Sequence, residues 1–430
     1  MKKLVALLMT MTMAFSLVAC GGDSNTDAPA ASTEAQAAST DAAAPAAPAE
    51  KQDVSLVLWG AEEDQAMLAQ MGESFKQQYA GQAEFDIVFE VQGESDCKDV
   101  LLGDVLNGAD VFAFADDQLL SLAASGVLLE VENADEVKAA NMPEAVSAAS
   151  VGERLYAYPM TADNGYFMYY NKAYFTEEQV QTMDGMLEAA EAAGKKIAMD
   201  WSSGWYTYSF FGNTGMTFGL NEDGVTNYCN WNATDGSIKG VDVAAGMLAI
   251  AQSPSFVSMV NGDFIAGVQD GTVVACVSGV WDAATIKAAW GENYAATKLP
   301  TYTCAEQQVQ MASFSGYKMV GVNAYSEHSD WAMKFADWIT NEENQKLRFE
   351  LRELGPSNSN AAASDAVSQA PAIQALLAQS EFASLQRVGN NYWAPAQTFG
   401  ETLSARNPEG KELQELMDVM VEGITASAVQ

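Results

Sequence analysis

The chain has 430 residues, 57 of them Asp or Glu against 21 Lys or Arg, a formal net charge of −36. A surface so acidic repels phosphate backbones and anionic headgroups, which excludes nucleic-acid binding. Apolar residues make up 49% and charged residues 18%, which fits a globular body with two or more cores, and the single histidine, His328, excludes His-rich metal sites and argues against His-based catalysis.

The chain opens with Lys2-Lys3, an apolar stretch from Leu4 to Phe15, and Leu17-Val18-Ala19-Cys20. A positive segment before a short apolar one is a secretory signal over residues 1–19, too short for a membrane span. Its end, LVAC before Gly21-Gly22, resembles the bacterial lipobox, which implies that Cys20 is lipidated and the protein extracytoplasmic, anchored to the cell membrane. Residues 20–52 are mostly Ala, Pro, Ser, Thr and Asp with nothing aromatic. They cannot bury enough apolar surface to offset ordering entropy, so they form a flexible tether.

The body begins with a strand in which Val54, Leu56 and Leu58 alternate, ending at Trp59-Gly60. A helix follows with Leu68, Met71, Phe75 and Tyr79 at helical spacing, then a strand through Phe85, Ile87, Phe89 and Val91, then a third from Asp110 to Phe114. This β-α-β rhythm predicts an α/β fold with mostly parallel sheets flanked by helices. Ligands of such sheets sit beyond the carboxyl ends of the strands, which singles out Trp59 to Glu63 and Phe114 to Asp117. Further on, Thr272 to Val277 reads as a buried strand and Ser329 to Ile339 as a helix with Trp331, Phe335 and Trp338 on one stripe. Thr340-Asn-Glu-Glu343 matches a capping box, and Glu412 to Ile424 is a last amphipathic helix.

Cys97, Cys229, Cys276 and Cys304 form no CxxC pair, so no zinc or thioredoxin-type site is expected; four cysteines permit three disulfide pairings. No calcium loop, phosphate loop, GxSxG or HExxH occurs. No metal and no cofactor is therefore expected. His328, just ahead of a helix, is expected to be exposed. Aromatic residues crowd Trp201 to Phe211, and Trp281 follows the strand-ending Gly279. Trp205 and Trp281 lie beside polar residues, where a ring face open to a ligand suits a sugar: C–H faces stack while hydroxyls bond carboxylates and amides. Glu62, Glu63, Asp117, Asp163, Asn164 and Asp282 are acceptors at comparable element ends.

Arg154-Leu-Tyr-Ala-Tyr-Pro159, Ala162-Asp-Asn-Gly and Tyr169-Tyr-Asn-Lys172 resemble the signature of extracellular solute-binding proteins of sugar ABC importers, the maltose/maltodextrin binders in particular. Gly108-Ala-Asp-Val-Phe, Ser125-Gly-Val-Leu, Ser278-Gly-Val-Trp281 and Ala332 to Gln345 resemble further segments of that family in the same order, covering the chain from about Val54 onward. The resemblance implies two α/β lobes, 53–161 plus 318–368 and 162–317 plus 369–430, with ligand in the cleft between them. It places sugar contacts on Phe114, Asp117, Asp163 or Asn164, Trp205, Tyr206, Trp281, and Phe399 or Trp393, with Trp59 opening the first lobe. Gln118 stands where maltose binders carry an Arg. The expected activity is capture of a carbohydrate by a monomer that closes its lobes and delivers the ligand to ABC transporter permease subunits, with no catalysis. The other readings are an extracellular glycoside hydrolase and a binder of a non-sugar solute.

Overall fold

The computed structural model describes residues 51–427. The expected signal segment, Cys20 and nearly all of the tether lie outside the described residues. In chain order the strands of the two five-stranded sheets are β1 (Gln52–Gly60), β2 (Ala83–Val91), β3 (Val111–Ala115), β4 (Tyr158–Thr161), β5 (Phe167–Asn171), β6 (Lys196–Ala198), β7 (Phe256–Val257), β8 (Val273–Ser278), β9 (Tyr294–Thr297) and β10 (Lys318–Val322). The first lobe has the order β2-β1-β3-β10-β4 and the second β7-β6-β8-β5-β9.

Alternation in β1 buries Val54, Leu56 and Leu58 and exposes Asp53 and Ser55. The helix Gln65–Tyr79 lays Leu68, Met71 and Phe75 on the same core, against Phe335 and Trp331 of the helix Ser329–Thr340. In the second lobe β5 is buried on both faces. Phe167 and Tyr169 point into one apolar cluster, Met168 and Tyr170 into another, which accounts for the aromatic run at this position.

Both sheets are mixed but mostly parallel as expected, four strands of each running in one sense and one against them. In the first, β2 and β3 run parallel to β1, whereas β10 is antiparallel to β3 and β4 to β10. In the second, β7 and β8 run parallel to β6, whereas β5 is antiparallel to β8 and β9 to β5. The one strand that opposes the other four, β10 in the first sheet and β5 in the second, begins just after an inter-lobe crossing. Chain arriving from the other lobe needs no helical crossover, so it is free to enter in the opposite sense. These crossings lie side by side: Ala162 N–H donates to Gly355 O at 3.0 Å and Asn164 N–H to Gly316 O at 3.2 Å.

Two local expectations change. The helix Glu342–Arg352 is capped by Asn341, whose side chain accepts the Asn344 N–H at 2.9 Å, while Thr340 turns its hydroxyl back to Ala336 O at 2.8 Å and closes the preceding helix. His328 is half-buried at the start of its helix rather than exposed. The four cysteines are free, three of them buried. Among the described residues no group of three or more His, Cys, Asp or Glu is arranged to hold a metal ion.

Candidate functional site

Between the lobes lies a cleft of about 650 Å³. The ends of parallel strands build its first-lobe wall: Glu63 and Asp64 follow β1, the segment from Glu94 to Asp99 follows β2, and Asp117 and Gln118 follow β3. Lys318, the first residue of antiparallel β10, enters at the same edge, and Arg352 lines the cleft as well. The second lobe supplies Ser203, Trp205, Trp281, Gln386 and Trp393, and Asn164 comes from the crossing.

Trp205 and Trp281 stack on each other, ring centroids 5.6 Å apart at 27°, and Tyr166 packs edge-on to Trp205 at 4.9 Å. The Tyr166 hydroxyl donates to Trp205 O at 2.7 Å, fixing the short helix Gly204–Thr207 that carries it. The Lys318 ammonium lies 5.7 Å from the centroid of the Trp281 ring. Burial alone would lower the Lys318 pKa, but the carboxylates of Glu94, Asp163 and Asp64 outweigh it and hold it above the ordinary value. Asp64 is itself neutralised by Arg348 at 2.7 Å and Arg352 at 3.1 Å.

Two buried polar atoms of cleft-lining residues make no hydrogen bond of good geometry among the described residues: Asp117 Oδ1, with the Gln386 amide as its nearby donor, and Trp205 Nε1, which needs an acceptor. Burial, and after it the adjacent Asp116 charge, push the Asp117 carboxyl up to about 6. Near neutral pH it is an acceptor beside an aromatic pair.

Glu63, Asp117, Asn164, Trp205, Trp281 and Trp393 thus meet in the cleft. The other expected residues do not line it. Phe114 sits in the first lobe's core, because β3 is covered on both faces, and Phe399 is in the second lobe's core. Trp59 packs in the first core and donates through Nε1 to Glu90 at 2.9 Å. Tyr206 is turned under Trp205 onto Tyr166, and Glu62 is exposed away from the cleft. Asp282 is buried and accepts the Ser278 hydroxyl at 2.5 Å and Asn261 Nδ2 at 2.6 Å. Asp163 is buried behind the wall, accepting the Gly355 N–H, which leaves Asn164 as the cleft member of that pair. Sequence reasoning missed Lys318, Arg352, Gln386 and the segment from Glu94 to Asp99. The carboxyl-end rule, applied to β1 and β3, would have found that segment had it been extended to β2.

The profile of the bacterial extracellular solute-binding protein family matches residues 70–375. A galactooligosaccharide-binding protein of Bacillus subtilis (strain 168) is 26% identical over 321 residues, 71% of this chain and 74% of its own. A maltooligosaccharide ABC transporter solute-binding lipoprotein of Streptococcus pneumoniae (strain ATCC BAA-255 / R6) is 26% identical over 270 residues, 59% of this chain and 61% of its own. A structure solved with acarbose superposes with a TM-score of 0.76 at 26% identity, over 87% of this chain and 99% of that one. The Thermus thermophilus maltotriose binding protein gives a TM-score of 0.71 at 17% identity, over 86% and 99%. The two curated relatives and the Thermus protein are named as binding proteins. The profile match over most of the folded body, on this architecture, makes the chain a member of the bacterial extracellular solute-binding protein family.

Proposed function

We propose that the chain is the carbohydrate-capturing component of an ABC importer, taking an α-glucan oligosaccharide of the maltose type into the cleft and delivering it to the membrane permease. The lobes 53–161 plus 318–368 and 162–317 plus 369–430 close around the ligand, which binds the closed state better than the open one. Lipidated Cys20 and the tether of residues 20–52 keep this monomer at the cell membrane. Ligand contacts are Glu63, Asp117, Asn164, Trp205, Trp281 and Trp393.

The observation that carries this reading is the pairing, in one inter-lobe cleft, of an aromatic stack with Asp117 Oδ1 and Trp205 Nε1, neither in a hydrogen bond of good geometry. A pyranose satisfies both, through an apolar C–H face and hydroxyls that donate and accept. Calorimetry with maltotriose, a galactooligosaccharide and an unrelated sugar tests it. Saturable binding of maltotriose with no release of reducing ends on long incubation is the expected result. Silence towards all three sugars would overturn it.

A further inference from the structure

The Gln118 amide is buried, and its bonds go to the neighbouring segment of the cleft wall. Its Nε2 donates to Glu94 O at 2.5 Å and Ser95 O at 3.0 Å, and its Oε1 accepts the Lys98 N–H at 2.8 Å. Both amide donors are thereby spent. The segment so gripped supplies Glu94, Ser95, Asp96, Lys98 and Asp99 to the cleft. Lys98 is the second residue of the helix Cys97–Gly103, and its N–H is one that the side chain of the preceding Asp96 would ordinarily cap. Asp96 makes no such bond. Gln118 makes it instead, so Asp96, exposed and lining the cleft, has no cap to hold.

We propose that Gln118 is a positioning residue: it clamps the segment from Glu94 to Asp99 as a wall of the cleft and, by taking over the cap, frees the Asp96 carboxylate to select the ligand's hydroxyl pattern. The inference rests on the proposed sugar-binding function. It replaces a direct sugar contact at position 118 with an indirect one, carried by three hydrogen bonds to main chain. The neighbours of the clamp fit this role. Cys97 anchors the segment in the first lobe's core, and Glu94 reaches Lys318 at 3.5 Å. The segment therefore has a fixed base and a variable rim, and Gln118 sets where the rim stands.

The test uses the full chain with two substitutions at this position. Gln118→Leu removes all three bonds at similar size, and Gln118→Glu keeps the acceptor for Lys98 N–H but loses both donors. Amide hydrogen exchange is followed over residues 94–99, and maltotriose binding is measured in parallel. Gln118→Leu is expected to speed exchange in that segment alone, with β1 and β3 protected as before, and to weaken binding about tenfold or more; Gln118→Glu should fall between. Asp96→Asn is expected to weaken binding with exchange unchanged. The double variant should bind no worse than Gln118→Leu, because residues acting through one another are not additive. Unchanged exchange in the Gln118→Leu chain, or losses that multiply in the double variant, overturn the proposal. If the wild-type chain ignores every sugar, the functional reading fails and takes the selection role with it, while the exchange arm still decides the clamp.

Discussion

Arg387 of the second lobe reaches Asp116 at the end of β3 in the first, with Nη1 at 2.8 Å from Oδ2 and donating to the Asp116 main-chain oxygen at 3.1 Å. Through Oδ1 the same carboxylate accepts the Tyr317 N–H at 3.1 Å, so one buried acid ties β3, a crossing strand and the opposite lobe. Burial pushes its pKa up, and Arg387 offsets only part of that rise. Arg387→Met would leave a buried carboxylate without its cation. Breaking a fully buried pair costs about 3–5 kcal/mol, and the Arg387 side chain, 30% exposed, reduces the expected loss to about 1–3 kcal/mol. Urea unfolding near neutral pH should show that loss, with partial recovery when Asp116→Asn is added. Unchanged stability in Arg387→Met would show that the pair holds nothing.

Asp117, one residue on, gives two opposite pH profiles. Its carboxyl is pushed up to about 6 from the usual 3.8, so the folded chain holds this proton more tightly than the unfolded chain does. The resulting stabilisation is complete below 3.8 and is lost as pH rises through about 6. The buried carboxyls of Asp163 and Asp282 are raised by burial as well and act in the same direction. Sugar affinity runs the other way, because the ionised carboxylate is the stronger acceptor for a ligand hydroxyl. Acidification from about pH 7.5 to about pH 5 should raise the melting temperature and weaken maltotriose binding together. Asp117→Asn should flatten the affinity curve and remove only the Asp117 share of the stability gain, leaving that of Asp163 and Asp282. Affinity and stability falling in parallel would contradict the assignment.

Trp205 and Trp281 act as one surface, because each covers part of the other. Trp205→Ala removes the ring whose Nε1 lacks a protein partner, and Trp281→Ala removes the support behind it and the ring under Lys318. Each change is expected to cost about 10–100-fold in affinity, or about 1.4–2.8 kcal/mol. The double variant should lose clearly less than the product of the two, as contacting residues do in a double-mutant cycle. Strictly multiplicative losses would mean that the rings meet the ligand independently.

How much of this was legible depended on whether local pattern or tertiary context decided the outcome. Alternation in β1 and the helical stripe of Leu68, Met71 and Phe75 lie in contiguous sequence, and the carboxyl-end rule then led to Glu63 and Asp117. Phe114 misled because β3 is buried on both faces, so strand parity carries no signal there. Adjacent residues also diverge. Trp205 faces the cleft while Tyr206 turns beneath it, since consecutive positions on a helical turn point about 100° apart. Asn164 reaches the cleft where Asp163 is held by a main-chain N–H from residue 355, a partner 192 positions away that no local pattern signals. Lys318 was invisible for a similar reason. It begins a strand, and only the antiparallel entry of β10 brings that end to the cleft.

Gly279 gives the sharpest steric test of the aromatic pair. Its backbone is extended, with φ −104°, so an alanine meets no conformational penalty there and only space matters. A Cβ at this position would stand 2.0 Å from Trp281 Cζ3 and 2.6 Å from Gly165 O. The Gly165 oxygen belongs to the inter-lobe crossing and cannot retreat far, so the indole must swing away from Trp205. The Gly279 oxygen meanwhile accepts the Tyr169 hydroxyl at 2.9 Å, which resists a shift of the backbone instead. Gly279→Ala should therefore cost about 1–3 kcal/mol of stability by overpacking and lower affinity at least tenfold, with altered tryptophan fluorescence in the free protein. Wild-type affinity alongside a changed emission spectrum would show that the stack can be broken without consequence, and would remove Trp281 from the binding surface.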